Sequence, residues 1–381
     1  MKVLVIGAGL MGRAIAFDLS KFSNFQKITV MDKDEKALKS AETFLKDKKI
    51  NFEKIDIKNE KDIKRYFHEY DIAISAIPYY FNYELTKIAI NNKTHFLDLG
   101  GNNDVVEKQR SLFEKAKKNK VIIIPDCGLS PGMTSVIVRD IVDDLDNVEC
   151  VKIRVGGLPV TPAPPFNYQI VFSPNGLINE YVEDALILDG GKVISKESMT
   201  ELETIEFPYP FGKLEAFLTS GGTSTMPYTL KDKIGYLDDK TIRYPGHCQM
   251  FKPLLDLGLA SEKPVKINDK TVTPRELFID LLLKTIPTSG KDVVLVKVFG
   301  NGNKDGKKID FEYVLIDYYD DESKLTAMMR TTGYPISILA QLIEQGLIKE
   351  PGVFGNEEVV PTSAFFEELK KRNIIIKKKI G

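Results

Sequence analysis

A chain of 381 residues, 43% hydrophobic and 28% charged, is long enough for two or three domains with real cores and has the balance of a soluble globular protein. A formal net charge of −1 leaves no basic footprint for nucleic acid or for an anionic membrane surface. The three cysteines, Cys127, Cys150 and Cys248, are an odd and sparse set with no CxxC pair, so neither a disulfide framework nor a zinc cluster is indicated. No apolar run approaches the ~18 residues of a membrane span. The first residues lack the basic, apolar and small-residue layout of a signal peptide, so a cytoplasmic location is expected.

The chain opens on an apolar run, Val3 to Ile6, that reads as a buried parallel strand. It stops at Gly7-Ala8-Gly9-Leu10-Met11-Gly12, and an amphipathic helix follows through about Ser20. A second run, Ile28 to Met31, ends on Asp32, twenty residues after Gly12. Spacing and context match the dinucleotide fingerprint. Gly7 permits the tight turn, Gly9 lets backbone N–H groups approach a pyrophosphate, and Gly12 lets helix and strand pack closely. The amides of Leu10 and Met11 open the helix and present partial positive charge to the phosphates. Asp32 is placed to accept bonds from a ribose hydroxyl and would repel a 2′-phosphate, so NAD is favoured over NADP.

Strands and helices then alternate to about residue 125. Helices are predicted over 34–46, 59–68, 82–91 and up to 118, with strands over 52–57, 72–76, 94–99 and 121–125. Six strands alternating with helices predict a complete doubly wound sheet. Ligands of such sheets sit beyond the carboxyl ends of the strands, which singles out Asp56, Ala76-Ile77-Pro78, Asp98, Gly100 and Asp126.

After Asp126 the texture changes. Gly128 and Pro131-Gly132 break the chain, and a helix is predicted from Thr134 to about Leu145. From Val151 strands dominate, with candidates at 168–173, 185–188, 203–207, 214–219, 241–244, 292–299 and 309–317. Asp189-Gly190-Gly191, and Asn301-Gly302 with Lys304-Asp305-Gly306, are hairpin signals. Thr273-Pro274 is a capped helix start. Helices return from Pro335 to Gln345 and from Pro361 to Arg372, and the final KKKIG reads as a solvated tail. The fold class expected is α/β: a Rossmann doubly wound parallel sheet (1–127 and 331–381) plus an inserted α+β domain with a largely antiparallel sheet (128–330).

The succession GAGLMG, DLGG, PDCGLSPGM, RVGGLPVTP, LEAFLTSGGTST and KTIRYPGH resembles the saccharopine dehydrogenase superfamily, within it most of all the lysine 6-dehydrogenases. The likeness spans nearly the whole chain. It implies a nucleotide domain closed by C-terminal helices and a middle sheet domain that carries substrate contacts and pairs protomers, hence a homodimer. Saccharopine-forming relatives carry Asp in a GLDPG motif where this chain has Ser130, and a small uncharged residue there is similar to the lysine dehydrogenases. The resemblance therefore implies oxidation of the ε-amine of L-lysine by NAD to 2-aminoadipate 6-semialdehyde, with ammonia and NADH. The alternatives are a saccharopine or related opine-type oxidoreductase, and a nucleotide-binding protein without turnover.

Oxidative deamination needs a neutral amine, and then an activated water to attack the iminium. Both steps require a base whose pKa lies near the working pH. Among the three histidines, His68 lies on a polar helix and His95 opens a strand of the nucleotide domain. His247 follows an irregular strand exit and is the candidate base, or else a buried, hydrogen-bonded histidine. Asp126 is the other candidate, as a base if desolvated or as a counter-charge to the substrate amine. Arg243 is suited to clamp a carboxylate, or to a cross-strand ion pair. Tyr244, Thr223 and Ser224 are candidates to orient the substrate, an amino acid, and Tyr168 to form a wall. No metal-ligand spacing is present, so no metal is expected.

Overall fold

The computed structural model describes residues Met1–Gly381. Its contacts group the chain into two compact units, Met1–Asp143 with Ser224–Thr229 and Met329–Ile375, and Asp144–Thr223 with Leu230–Met328 and Ile376–Gly381. The parallel and antiparallel sheets predicted from the sequence are both present, one in each unit. The divisions differ in detail from 128 and 330. The helix Met133–Asp144 lies almost wholly in the first unit, as does the short segment Ser224–Thr229, while the last six residues go with the second. No helix is long and apolar enough to cross a membrane.

In the first unit the strands β1 (Lys2–Ile6), β2 (Lys27–Asp32), β3 (Ile50–Lys54), β4 (Ile72–Ser75), β5 (His95–Asp98) and β6 (Ile122–Ile124) form a parallel sheet. With the short strand Gly352–Val353 beside β6 it is seven-stranded, in the order Gly352–Val353, β6, β5, β4, β1, β2, β3. The order reverses between β1 and β4, the switch point at which doubly wound sheets hold their ligands. β1, β4 and β6 bury nearly every side chain, as the continuous apolar runs require of central parallel strands. Each such Val, Leu or Ile contributes roughly 1.5–3 kcal/mol by leaving water.

The helix Ala327–Glu344 carries Ile336, Leu339, Ala340 and Ile343 on its buried face. It begins well before Pro335, which lies inside it rather than at its start. A Cβ on Gly333 would stand 2.7 Å from the Ala14 Cβ, so glycine there lets this helix meet the first helix, Leu10–Phe22, closely. Polar groups tie the same layer together. Arg372 Nε and Nη2 donate to the two oxygens of Asp18 at 2.6 and 3.0 Å, and Ser337 donates to Asp18 at 2.7 Å, all fully buried. Losing one partner of such a pair strands the other, at a cost of about 3–5 kcal/mol.

In the second unit β7 (Asn147–Pro159), β8 (Ala185–Asp189), β9 (Lys192–Lys196), β10 (Glu203–Phe207), β11 (Gly212–Leu218) and β12 (Ile234–Arg243) precede the exposed hairpin of β13 (Val265–Ile267) and β14 (Lys270–Val272). The long strands β15 (Asp292–Lys304) and β16 (Lys307–Tyr318) follow. The main sheet runs β10, β11, β12, β7, β15, β16 and then the last strand Lys377–Ile380, with β8 and β9 branching from β12. Only β12 with β7 is parallel. KKKIG is therefore mostly an edge strand paired to β16 rather than a free tail, because the open edge of β16 offers it unpaired amides. Asp305-Gly306 makes the hairpin turn between β15 and β16. Asn301-Gly302 sits within β15 as a register shift against β7, since a Cβ on Gly302 would lie 2.0 Å from the Asn147 carbonyl oxygen.

Residues 168–173, expected as a strand, are irregular and lead into the helix Pro174–Val182. Ser173 caps that helix by accepting from the Gly176 amide, and Pro174 occupies the first turn, a start signal that the apolar run upstream obscured.

Candidate active site

At the end of β1 the chain turns at Gly7, with φ +109°, and the Gly7 amide donates to Met31 O at 2.8 Å. A Cβ on Gly7 would meet the Ala76 carbonyl oxygen at 2.6 Å and Ile77 Cγ2 at 2.9 Å. On Gly12 it would lie 1.8 Å from the Gly7 carbonyl oxygen, whereas on Gly9 it would meet nothing within 4 Å. The protein itself thus requires glycine at 7 and 12. Gly9 faces open space, as it must if the backbone there is to meet a pyrophosphate. No side chain caps the helix that starts at Leu10 and Met11, which leaves its first amides for an anion.

Asp32 is half-buried beside this loop, Oδ2 accepting from the Ala8 amide at 2.8 Å and Oδ1 from Asp34 N at 2.9 Å. Ala76, Ile77 and Pro78 leave β4 against Gly7. These residues fit a dinucleotide. Asp56 is exposed, and its carboxylate closes a local turn by accepting from Lys58 N at 3.0 Å. β3, which precedes it, is one of the two edge strands of the sheet.

Beyond β5 and β6 the same unit gathers buried carboxyl groups. Asp98 Oδ1 accepts from the Gly100 amide at 2.8 Å and Oδ2 from Gln109 at 2.7 Å. Burial pushes its pKa up to about 6 against those hydrogen bonds. Asp126, 3% exposed, accepts a hydrogen bond from the Ser224 hydroxyl on Oδ2. Its Oδ1 is buried without a well-aligned partner, where a Cβ on Gly100 would overlap it at 1.5 Å. Burial, and then the charge of Asp98, push Asp126 up to about 7, opposed by the bonds from Ser224 and the Gly101 amide.

Asn356 Nδ2 holds the Asp126 carbonyl at 2.9 Å, and Glu357 accepts from Thr225 at 2.7 Å and Thr229 at 2.6 Å. Asp126 and Ser224 both adopt left-handed backbone, φ +57° and +46°, a strain that persists only where the surroundings hold it. Ser224 thus meets Asp126, which the sequence separates by almost a hundred positions. Glu357 and Asn356, on the returning C-terminal segment, carried no sequence signal at all.

In the second unit Arg243, 2% exposed, ends β12. Its guanidinium lies 4.8 Å from the Tyr168 ring centroid, Nε donates to Tyr181 Oη at 2.8 Å, and Nη1 donates to Ile242 O at 2.9 Å. Tyr181 Oη and His247 Nε2 are 3.0 Å apart, and His247 Nδ1 lies 3.1 Å from Phe166 O. A carbonyl only accepts, so Nδ1 carries the proton and Nε2 accepts from Tyr181. The chain of donors runs Arg243 to Tyr181 to His247 to Phe166 O. Burial, and then Arg243's charge, lower the His247 pKa to about 3. His247 has no exposure and both ring nitrogens engaged, Nε2 by the Tyr181 hydroxyl that in turn accepts from Arg243.

Two further candidates move as well. Tyr244 packs with the Leu158–Ile242–Leu295 cluster and donates to Pro159 O at 3.0 Å, because neighbours at a strand end point to opposite faces. Thr223 donates to Leu186 O at 2.8 Å, a loop-closing bond. Tyr181 and Glu180, on the helix after Ser173, were missed with that helix.

Two family models match the chain, the saccharopine dehydrogenase NADP binding domain over residues 3–124 and the saccharopine dehydrogenase C-terminal domain over residues 128–375. The chain belongs to the saccharopine dehydrogenase family. Within this family, the carboxynorspermidine synthase of Vibrio cholerae is 25% identical over an alignment covering 95% of this chain and 93% of its own. The NADP(+), L-glutamate-forming saccharopine dehydrogenase of Saccharomyces cerevisiae is 22% identical, covering 99% and 98%. The solved apo structure of saccharopine dehydrogenase (L-Glu forming) from Saccharomyces cerevisiae shares the fold with a TM-score of 0.81 at 19% identity, over 100% of this chain and 99% of that one. Homospermidine synthase from Legionella pneumophila in complex with NAD gives 0.67 at 14%, over 100% and 91%. Family membership carries pyridine-nucleotide binding and amino-acid oxidoreductase chemistry.

Proposed function

We propose that the chain is an NAD-dependent lysine 6-dehydrogenase, converting the ε-amine of L-lysine to 2-aminoadipate 6-semialdehyde with release of ammonia. The observation that carries this reading is Asp126, a carboxyl group with pKa about 7 beyond the carboxyl end of β6 and bonded to a strained serine. A bound nicotinamide dinucleotide would supply the hydride acceptor, with Gly7, Gly9 and Gly12 against its pyrophosphate and Asp32 on a ribose hydroxyl. Asp126 draws a proton from the substrate ammonium through the Ser224 hydroxyl, which passes its own proton to Oδ2 as it gains one from nitrogen. The freed lone pair assists loss of hydride from the adjacent carbon. Once Asp126 has released that proton to bulk water, the same pair takes a proton from the water that attacks the iminium and delivers it to the carbinolamine nitrogen, which leaves as ammonia while the hydroxyl proton passes back to Asp126. Within the second unit, Arg243, its guanidinium fixed by Tyr181 and His247, is the group suited to a carboxylate.

Asp32 favours NAD, since its carboxylate repels a 2′-phosphate. The names of the family model and of the Saccharomyces cerevisiae relative point instead to NADP. The relatives' names also support a second reading, a saccharopine-type oxidoreductase acting on a secondary amine.

Absorbance of the reduced nucleotide separates these readings, with L-lysine or saccharopine offered against each cofactor. L-Lysine alone with NAD should give NADH. Turnover of saccharopine but not lysine would replace the proposal with the second reading, and reaction of neither would leave a nucleotide-binding protein without turnover.

A second expectation concerns His247. The His247→Phe variant should raise KM for the amino acid about tenfold, leave the acid limb of the pH profile in place, and lose roughly 1–3 kcal/mol of stability from the unpaired Tyr181 hydroxyl and Phe166 carbonyl. Disappearance of the acid limb would restore histidine as the base.

A further inference from the structure

Glu180 has no part in the chemistry above, yet it stands beside Arg243. Its Oε2 is 3.9 Å from Arg243 Nη2, too far for a hydrogen bond, and its carboxylate accepts no other. The arginine cannot swing to close that gap, because Nε is tied to Tyr181 and Nη1 to Ile242 O. Nη2 therefore keeps donors open beside a carboxylate with which it forms an ion pair but no hydrogen bond. The Tyr168 hydroxyl, on the ring that Arg243 covers, is buried without a partner. The Glu180 side chain keeps 33% of its surface open although burial lifts its pKa to about 7, opposed by Arg243 and assisted by Asp239.

We propose that Glu180 and Arg243 together read the head group of an α-amino acid, Glu180 taking the α-ammonium and Arg243 the α-carboxylate. Covalent geometry sets those two groups roughly 3 Å apart, the scale of the gap between the unfilled donor and acceptor. A ligand with a carboxylate alone would meet Glu180 by repulsion, and a simple amine would face Arg243. The inference rests on the dehydrogenase reading and sharpens it. An α-amine held as ammonium by a carboxylate has no lone pair to assist hydride loss, so the nitrogen oxidised lies elsewhere in the substrate.

Calorimetric titration of the full chain with L-norleucine, hexanoate and hexylamine tests this without turnover. L-Norleucine should bind at least about 30-fold tighter than either single-ended probe, the scale of a desolvated charge pair. The Glu180→Gln variant should remove most of that advantage and leave hexanoate binding unchanged or tighter. Equal weakening of L-norleucine and hexanoate, or L-norleucine binding no tighter than hexanoate, overturns the inference. If L-norleucine discrimination depends on Glu180 while L-lysine yields no NADH, the head-group site stands and the lysine dehydrogenase reading falls.

Discussion

The Asp126→Asn variant is expected to lose at least about a thousandfold in turnover and yet to be more stable than the parent above neutral pH. Asn keeps an acceptor for the Ser224 hydroxyl, so the local hydrogen bond survives, but it cannot take a proton. The stability gain follows from linkage. Asp126 titrates near 3.8 in the unfolded chain and near 7 in the folded one, because burial and the charge of Asp98 disfavour the anion. Between those values the native state binds more protons than the unfolded state, so stability is highest at low pH and falls as pH rises through 7. The loss approaches about 4 kcal/mol if the whole shift is realised. Asp98, raised to about 6 by burial, adds to the same window. Thermal unfolding at pH 5 and pH 8 checks the sign: the variant's gain in Tm should be clearly larger at pH 8. An equal shift at both values, or retention of more than about a tenth of wild-type turnover, would remove Asp126 from the role assigned to it.

The second large effect separates two glycines three residues apart. Gly12→Ala should destroy the first unit's fold, since the new methyl carbon would sit 1.8 Å from a backbone oxygen that only a rebuilt loop could move. Gly9→Ala should fold normally, because its methyl group meets nothing within 4 Å. That methyl group instead occupies the space reserved for the pyrophosphate, and NADH affinity should fall roughly 100-fold, about 2.7 kcal/mol. Thermal unfolding combined with fluorescence titration by NADH distinguishes the two. Full NADH affinity in Gly9→Ala would mean that the dinucleotide does not lie across this loop.

Much of the first unit was legible because its signals are local. Gly7, Gly9, Gly12 and Asp32 fall within one strand–turn–helix–strand segment, where chain geometry over a few residues dictates both conformation and function. Apolar runs marked β1, β4 and β6, since a strand buried on both faces has no place for polar side chains. Local signals also misled. The apolar stretch 168–173 masked the Ser173-Pro174 helix start, and Tyr181 and Glu180 were lost with that helix. Asp56 satisfied the strand-end rule, and in the structure its carboxylate also closes a local turn.

The sequence alone determined the family and the two sheet types and put the glycine loop, Asp126 and Arg243 forward as candidates, because these rest on residue type and short spacing. Only the tertiary structure decided what the candidates do. It put Ser224 on Asp126, sealed His247 between Tyr181 and Phe166, turned Tyr244 away from Arg243 and left Glu180 beside it without a hydrogen bond. Whether a carboxyl, imidazole or hydroxyl group is available for chemistry depends on burial and on which partners long-range packing brings within about 3 Å, and spacing along a chain does not encode those distances.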